Sequence, residues 1–165
     1  MRCVVVLDNI RSVHNVGSIF RTADAVCAEK IYCCGITPGP LDRFKKVRAD
    51  FAKVALGAER SVEWEVVKDA AALIERLKKD GWKIFAIEQA KNSIPYYDAP
   101  ADGNIAFILG AEVDGVSPKV LASADKVLEI PMRGKKESLN VAVAFGIVAF
   151  ALRDAHERAR GVLQS

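Results

Sequence analysis

Short apolar runs separated by helix-patterned segments constrain this chain more than any other feature. Cys3 to Leu7, Lys30 to Cys34, Ile105 to Leu109 and Lys126 to Ile130 are each one strand long and almost wholly apolar. A strand with one wet face alternates apolar and polar residues, whereas a strand buried on both faces does not. Such strands need helices above and below, which is the pattern of βαβ units around a parallel sheet.

The intervening segments carry helical signals. Val16, Ile19, Phe20, Ala23 and Val26 recur at helical spacing and predict a helix over residues 16–28, after a polar loop from Asp8 to His14. Residues 36–49, with Pro38, Gly39 and Pro40, read as a long loop, Ala49 to Ala58 as a short helix and Val62 to Val67 as a strand. Asp69 is placed to cap a helix running through Lys79, with Gly81 just beyond its end, and Trp82 to Glu88 follows as a strand. Gln89 to Asn104 reads as a loop. Ser117 and Pro118 open a short helix, and a long one is expected from Ser138 to Arg160. The expected architecture is an α/β domain with a mostly parallel sheet flanked by helices.

Composition narrows the function. A chain of 165 residues with 51% hydrophobic content fits one domain and is too apolar to be disordered. The longest apolar run, Val141 to Leu152, falls well short of the ~20 residues that span a bilayer, and the N-terminus has no signal-peptide pattern. Cysteines at 3, 27, 33 and 34 form no Cys-x-x-Cys pair and only two histidines exist, so no metal site is expected. They read as reduced thiols of a cytoplasmic protein. The net charge is only +3, yet residues 42–60 hold six basic residues against three acidic ones. Arg43, Lys45, Lys46 and Arg48 in that segment, and Arg133, Lys135 and Lys136 further on, are candidate phosphate-binding patches.

In open parallel sheets ligands bind beyond the carboxyl ends of strands, so the loops after Leu7, Leu109 and Ile130 matter most. The loop after Leu109 sets Glu112 and Asp114 where a pyrophosphate would sit, which disfavours a dinucleotide or ATP and suits a cationic or neutral ligand. After Ile130, Pro131 and Gly134 impose an irregular path, and Ser138 is expected to cap the last helix. Asn140 then stands in its apolar first turn, where a buried amide must find a partner. The loop after Leu7 leads to Asn15 and Arg21, polar residues bracketing an apolar helix start.

These three segments, in this order, resemble the signatures of one family. Asn15-Val16-Gly17-Ser18-Ile19-Phe20-Arg21-Thr22-Ala23-Asp24-Ala25 resembles the first motif of the SpoU-type RNA 2′-O-ribose methyltransferases of the SPOUT superfamily. Ile108 to Ser117 resembles the second, and Ile130-Pro131-Met132 with Ser138 to Ala144 the third. The resemblance implies one SPOUT domain over residues 1–165, without an accessory RNA-binding domain and with a deep C-terminal trefoil knot.

It further implies S-adenosylmethionine as methyl donor, contacted by Gly110, Ile130 and Leu139 with Met132 lining the adenine pocket. The acceptor would be a ribose 2′-hydroxyl of tRNA or rRNA. Arg21, Asn15, Glu112, Ser138 and Asn140 would form the catalytic set, with Ser138 and Asn140 orienting Arg21 or the ribose. An arginine, with a pKa above about 12, is better suited to fixing phosphate and stabilising an alkoxide than to removing a proton. His14 is the alternative base, since histidine is the residue type most often used in general acid–base catalysis. Ala142 departs from the family pattern, where many relatives carry serine. Relatives are homodimers in which the partner supplies an RNA-binding arginine, and the all-round apolar run Val141 to Leu152 accords with extra coverage. Two other classes compete. A non-catalytic RNA-binding module would keep the fold without transfer. A nucleotide-dependent oxidoreductase would need a Gly-x-Gly-x-x-Gly loop that this chain lacks after its first strand.

Overall fold

The computed structural model describes residues 1–162. Strands β1 (Arg2–Asp8), β2 (Lys30–Cys34), β3 (Glu63–Val67), β4 (Lys83–Ile87), β5 (Ile94–Pro95), β6 (Asn104–Gly110) and β7 (Lys126–Glu129) form one sheet. Their order is β3-β2-β1-β6-β4-β7-β5, and every pairing among them is parallel. The helices are α1 (Val13–Ala25), α2 (Ala49–Ala55), α3 (Ala58–Ser61), α4 (Ala70–Lys79), α5 (Pro118–Ala122) and α6 (Val141–Ala159).

The unbroken apolar strands follow from coverage on both faces. Cys3, Val5 and Leu7 of β1 pack with residues of α1, α2 and α6, whereas Val4 and Val6 pack with α4 and α5. In β6 the residues Ile105, Phe107 and Leu109 join the first layer, and Ala106 and Ile108 the second. Phe20 of α1 meets Phe51 of α2 edge to face at 5.0 Å, and Phe107 meets Phe145 of α6 at 6.0 Å.

Three of the expected helices have boundaries that differ from the sequence expectation, each for local reasons. Helix α1 begins at Val13, not beyond His14, because the Ser12 hydroxyl accepts the Asn15 N–H at 3.2 Å and recruits the polar residues into the first turn. It stops at Ala25, two residues before Cys27 turns to φ 54°. The segment 49–58 breaks at Leu56, φ 52°, so two short helices replace one. Helix α6 starts at Val141, and its cap is Asn140, not Ser138; the Asn140 side chain accepts the Ala142 N–H at 2.9 Å. Asn140 is exposed and outside the helix, so the buried amide inferred from the sequence is not what holds it. Residues 89–104 are not all loop, since β5 and a single 3₁₀ turn, Tyr96–Asp98, lie within them.

On α6, Phe145, Val148, Ala149 and Leu152 are buried against the sheet. Val143 and Phe150, on other sides of the helix, are 51% and 45% exposed, so its apolar surface is only partly covered. No helix among the described residues is long and apolar enough to cross a membrane.

Candidate active site

The last residues of β1 and β6, Asp8 and Gly110, lie side by side at the carboxyl edge of the sheet. Immediately after β6 the chain doubles back, with Ala111 and Gly115 exchanging backbone hydrogen bonds at 3.0 Å each way. Gly110 is required by this close approach, because a Cβ there would overlap the Gly115 carbonyl carbon and the Val116 nitrogen. The polar residue that ends β1 and the one that follows β4 clamp the loop. Asp8, 3% exposed, accepts the Ser117 N–H at 3.0 Å, and Glu88 accepts the Val116 N–H at 3.0 Å and the Gln89 N–H at 2.9 Å.

Between this loop, the β4 exit and the segment leading into α6 lies a cavity of about 510 Å³. That is within the range of about 300–1,000 Å³ of small-molecule sites. Gly110, Ile130, Met132 and Leu139 line it, as do Glu112, Ser138 and Asn140. All four residues assigned to the donor by resemblance, and three of the five assigned to catalysis, thus share one cavity.

Two further features describe what it can hold. Glu88, Glu112, Asp114 and Glu129 are among its lining residues, and no lysine, arginine or histidine is. A polyphosphate would meet four carboxylates and no cationic side chain among these lining residues, while a cation is favoured. Among the described residues, 131–139 make no backbone–backbone hydrogen bond, and the one bond to their main chain is from Gln89 Nε2 to the Glu137 carbonyl, at 2.7 Å. Backbone polar groups left open at a cavity need water or a ligand as partner. An acidic cavity walled by open main chain fits a sulfonium donor carrying a purine.

Asn15 lies at the entry to α1, 9% exposed, and joins two of the lining residues. Its Nδ2 donates to Glu112 Oε1 at 2.9 Å, and its Oδ1 accepts from Asn140 Nδ2 at 3.0 Å. The Glu112 carboxylate also accepts the Ser12 and Arg11 N–H groups, at 3.3 and 3.4 Å, at the amino end of α1. Burial works to raise the Glu112 pKa, but the Asn15 amide and the surrounding N–H groups outweigh it and leave the carboxyl below its ordinary value. Residues 97 and 125 positions apart in the chain are therefore fixed around one ionised carboxylate.

The remaining candidates lie elsewhere. Arg21 is exposed on the solvent face of α1 with His14; it does not line the cavity and has no hydrogen bond or ion pair among the described residues. Asn140 accordingly orients Asn15, not Arg21. Arg43, Lys45 and Lys46 are exposed, whereas Arg48 is paired with Asp50 at 3.0 Å. Arg133, Lys135 and Lys136 are exposed on the open segment before α6. Asp8, Glu88 and Gln89 were not singled out from the sequence. Their available signal was position, as polar residues following apolar strands. Among the described residues no cluster of metal-ligating side chains occurs.

Known proteins resemble this chain in sequence and in fold. A 23S rRNA (guanosine-2′-O-)-methyltransferase RlmB of Ralstonia nicotianae is 34% identical over 148 residues, 89% of this chain and 56% of the relative. The Escherichia coli RlmB is 31% identical over 148 residues, 89% of this chain and 58% of that protein. This chain thus spans little more than half the length of these curated relatives. Among solved structures, the TrmH/SpoU tRNA modifying enzyme of A. aeolicus superposes with a TM-score of 0.83 at 29% identity, covering 97% of this chain and 77% of that one. A protein solved in relation to 2-OH methylation of C or U at position 34 of tRNA is similar over 97% of both chains, with a TM-score of 0.78 and 26% identity. The model of the SpoU rRNA Methylase family matches residues 2–150, and this chain belongs to that family.

Proposed function

We propose that this chain transfers a methyl group from S-adenosylmethionine to a ribose 2′-hydroxyl of structured RNA, tRNA or rRNA. The observation that carries the reading is the hydrogen-bonded series Glu112–Asn15–Asn140 at an acidic cavity walled by open main chain. Relatives named as 23S rRNA (guanosine-2′-O-)-methyltransferases supply the reaction class.

When bound, the donor supplies an electrophilic methyl group on a sulfonium. Gly110, Ile130, Met132 and Leu139 would hold it, with the neighbouring carboxylates favouring its cationic charge. In-line transfer then requires that the acceptor hydroxyl be fixed and its developing charge stabilised. Asn140 spends one N–H on Asn15 and its oxygen on Ala142, so the other N–H remains for the ribose. Ser138, lining the same cavity, would orient the ribose with it. Arg21 would fix the adjacent phosphate and stabilise the developing alkoxide as the hydroxyl proton is lost to solvent water.

Arg21 faces solvent, which supports a site completed by RNA and by a second copy of the chain. A homodimer is further supported by the exposed Val143, Phe150 and Tyr97 around α6, and the partner would supply an RNA-binding arginine. The family resemblance supports a single SPOUT domain and a trefoil knot in the segment leading to α6. The exposed Arg43, Lys45, Lys46, Arg133, Lys135 and Lys136 would meet RNA phosphates, in the cytoplasm where such RNAs are processed.

Incubation with methyl-labelled S-adenosylmethionine and unmodified tRNA or rRNA tests the proposal. Label in the RNA is expected; donor binding without transfer to any RNA would instead mark a non-catalytic RNA-binding module.

A further inference from the structure

The loop between β2 and α2 presents an aromatic ring that the chemistry above does not use. Leu41 and Val47 pair across it, Asp42 donates its N–H to the Lys46 carbonyl at 2.8 Å, and Lys45 donates to the Asp42 carbonyl at 3.0 Å. Asp42 Oδ1 accepts the Phe44 and Lys46 N–H groups, at 2.8 and 2.9 Å, and Lys45 takes φ 59°. The tip is therefore closed by its own hydrogen bonds rather than by packing. On it, Phe44 is 67% exposed, while Phe20, Phe51, Phe85, Phe107 and Phe145 are all buried. A large aromatic face held in water on a closed tip is available for contact with a partner.

The charges around the ring identify the partner's chemistry. The Arg43 guanidinium lies 4.7 Å from the Phe44 ring centroid and covers one side of it. Residues 42–48 contain four basic residues against one acidic residue, Asp42, and Asp42 Oδ1 is occupied within the loop. Protein interfaces are depleted of lysine. Single-stranded nucleic acid is held by this combination, with cations on phosphates and a base stacked on an aromatic face. A duplex keeps its bases stacked on each other, so the ring selects an unpaired one.

The loop is anchored to the catalytic end of the sheet. Thr37 donates to the Leu7 carbonyl at 3.0 Å and accepts the Ile10 N–H at 3.1 Å, and Asn9 Oδ1 accepts the Ile36 N–H at 3.2 Å. The same Asp8–Ser12 segment leads into Asn15. We infer that Phe44, with Arg43 against its ring, is a stacking platform for an unpaired base of the RNA substrate. This deepens the proposed function and rests on it.

The test measures the affinity of unmodified tRNA transcripts for Phe44→Ala, Phe44→Trp and Lys45→Gln between about 50 and 200 mM salt. Phe44→Ala is expected to raise Kd about 5- to 150-fold without changing the salt dependence, and Phe44→Trp to retain binding. Lys45→Gln should instead flatten the salt dependence by about one charge. Wild-type affinity in Phe44→Ala, alongside intact methyl transfer, overturns this inference alone. So does weakened self-association of Phe44→Ala in sedimentation with RNA affinity unchanged, which would make the ring a contact between copies. Donor binding by the wild type with no RNA binding would overturn both this inference and the function beneath it.

Discussion

Replacing Asn15 by aspartate tests whether Glu112 is held ionised by a neighbouring amide. The substitution exchanges an N–H donor, 2.9 Å from Glu112 Oε1, for a carboxylate oxygen of nearly the same size. A hydrogen bond to a charged group contributes about 1.5–3 kcal/mol. Two like charges some 4 Å apart repel by about 4 kcal/mol near a protein surface. Glu112 is exposed, so screening reduces both effects, and a loss of about 2 kcal/mol at neutral pH is the reasonable magnitude. For a domain of this size that corresponds to a Tm lower by about 4–8 °C.

The pH dependence distinguishes the mechanism from simple loss of packing. In the native chain the Glu112 pKa is lowered, so its contribution is present above the unfolded carboxylate value and is lost as pH falls through the folded one. In Asn15→Asp the adjacent carboxylates raise the folded pKa of the pair, so the penalty disappears as a shared proton is taken up. The Tm gap between variant and wild type should therefore narrow between pH 8 and pH 5. For Asn15→Ala, which adds no charge, narrowing should begin only below the unfolded carboxylate value of about 4.3. Thermal unfolding by circular dichroism across this range is sufficient. A gap for Asn15→Asp that stays constant from pH 8 to pH 5 would refute the reasoning.

Arg21→Ala should abolish transfer while leaving donor affinity unchanged and stability within about 0.5 kcal/mol, because the side chain is exposed and makes no hydrogen bond or ion pair among the described residues; calorimetric donor titration and thermal unfolding check this. Gly110→Ala forces a Cβ onto two backbone atoms that cannot swing aside, so the thermal stabilisation given by saturating S-adenosylmethionine should be lost. Burial pushes the Cys33 and Cys34 thiols up to about 12, and Cys3 is also buried and raised. In the folded protein a thiol reagent should therefore modify the exposed Cys27 first, and Cys27→Ser should remove the fast phase.

The sequence made some of this legible and concealed the rest for physical reasons. Continuous apolar strands announced a sheet covered on both faces, and Asp69 does cap α4 by accepting the Ala71 and Ala72 N–H groups. The start of α1 was hidden because its first turn, Val13-His14-Asn15, is mostly polar and Ser12 provides the cap that stabilises it. In the sequence Asn140 stands out as a polar residue inside the first turn of an apolar helix, but its role is that of cap and partner to Asn15, a contact across 125 positions that periodicity cannot reveal. Asp8 and Glu88 were missed because a carboxylate after a strand reads as solvated turn; only the folded chain shows each accepting backbone N–H groups of the 116–117 loop. Strand order is equally non-local, since β6 inserts between β1 and β4.

The chemical identity of the product tests the central claim most directly. RNA treated with the protein and S-adenosylmethionine is digested to nucleosides and analysed by mass spectrometry. The account predicts a 2′-O-methylnucleoside made by the wild type and absent with Arg21→Ala. Methylation confined to a nucleobase, or an Arg21→Ala variant that forms the 2′-O-methyl product at the wild-type rate, would contradict it.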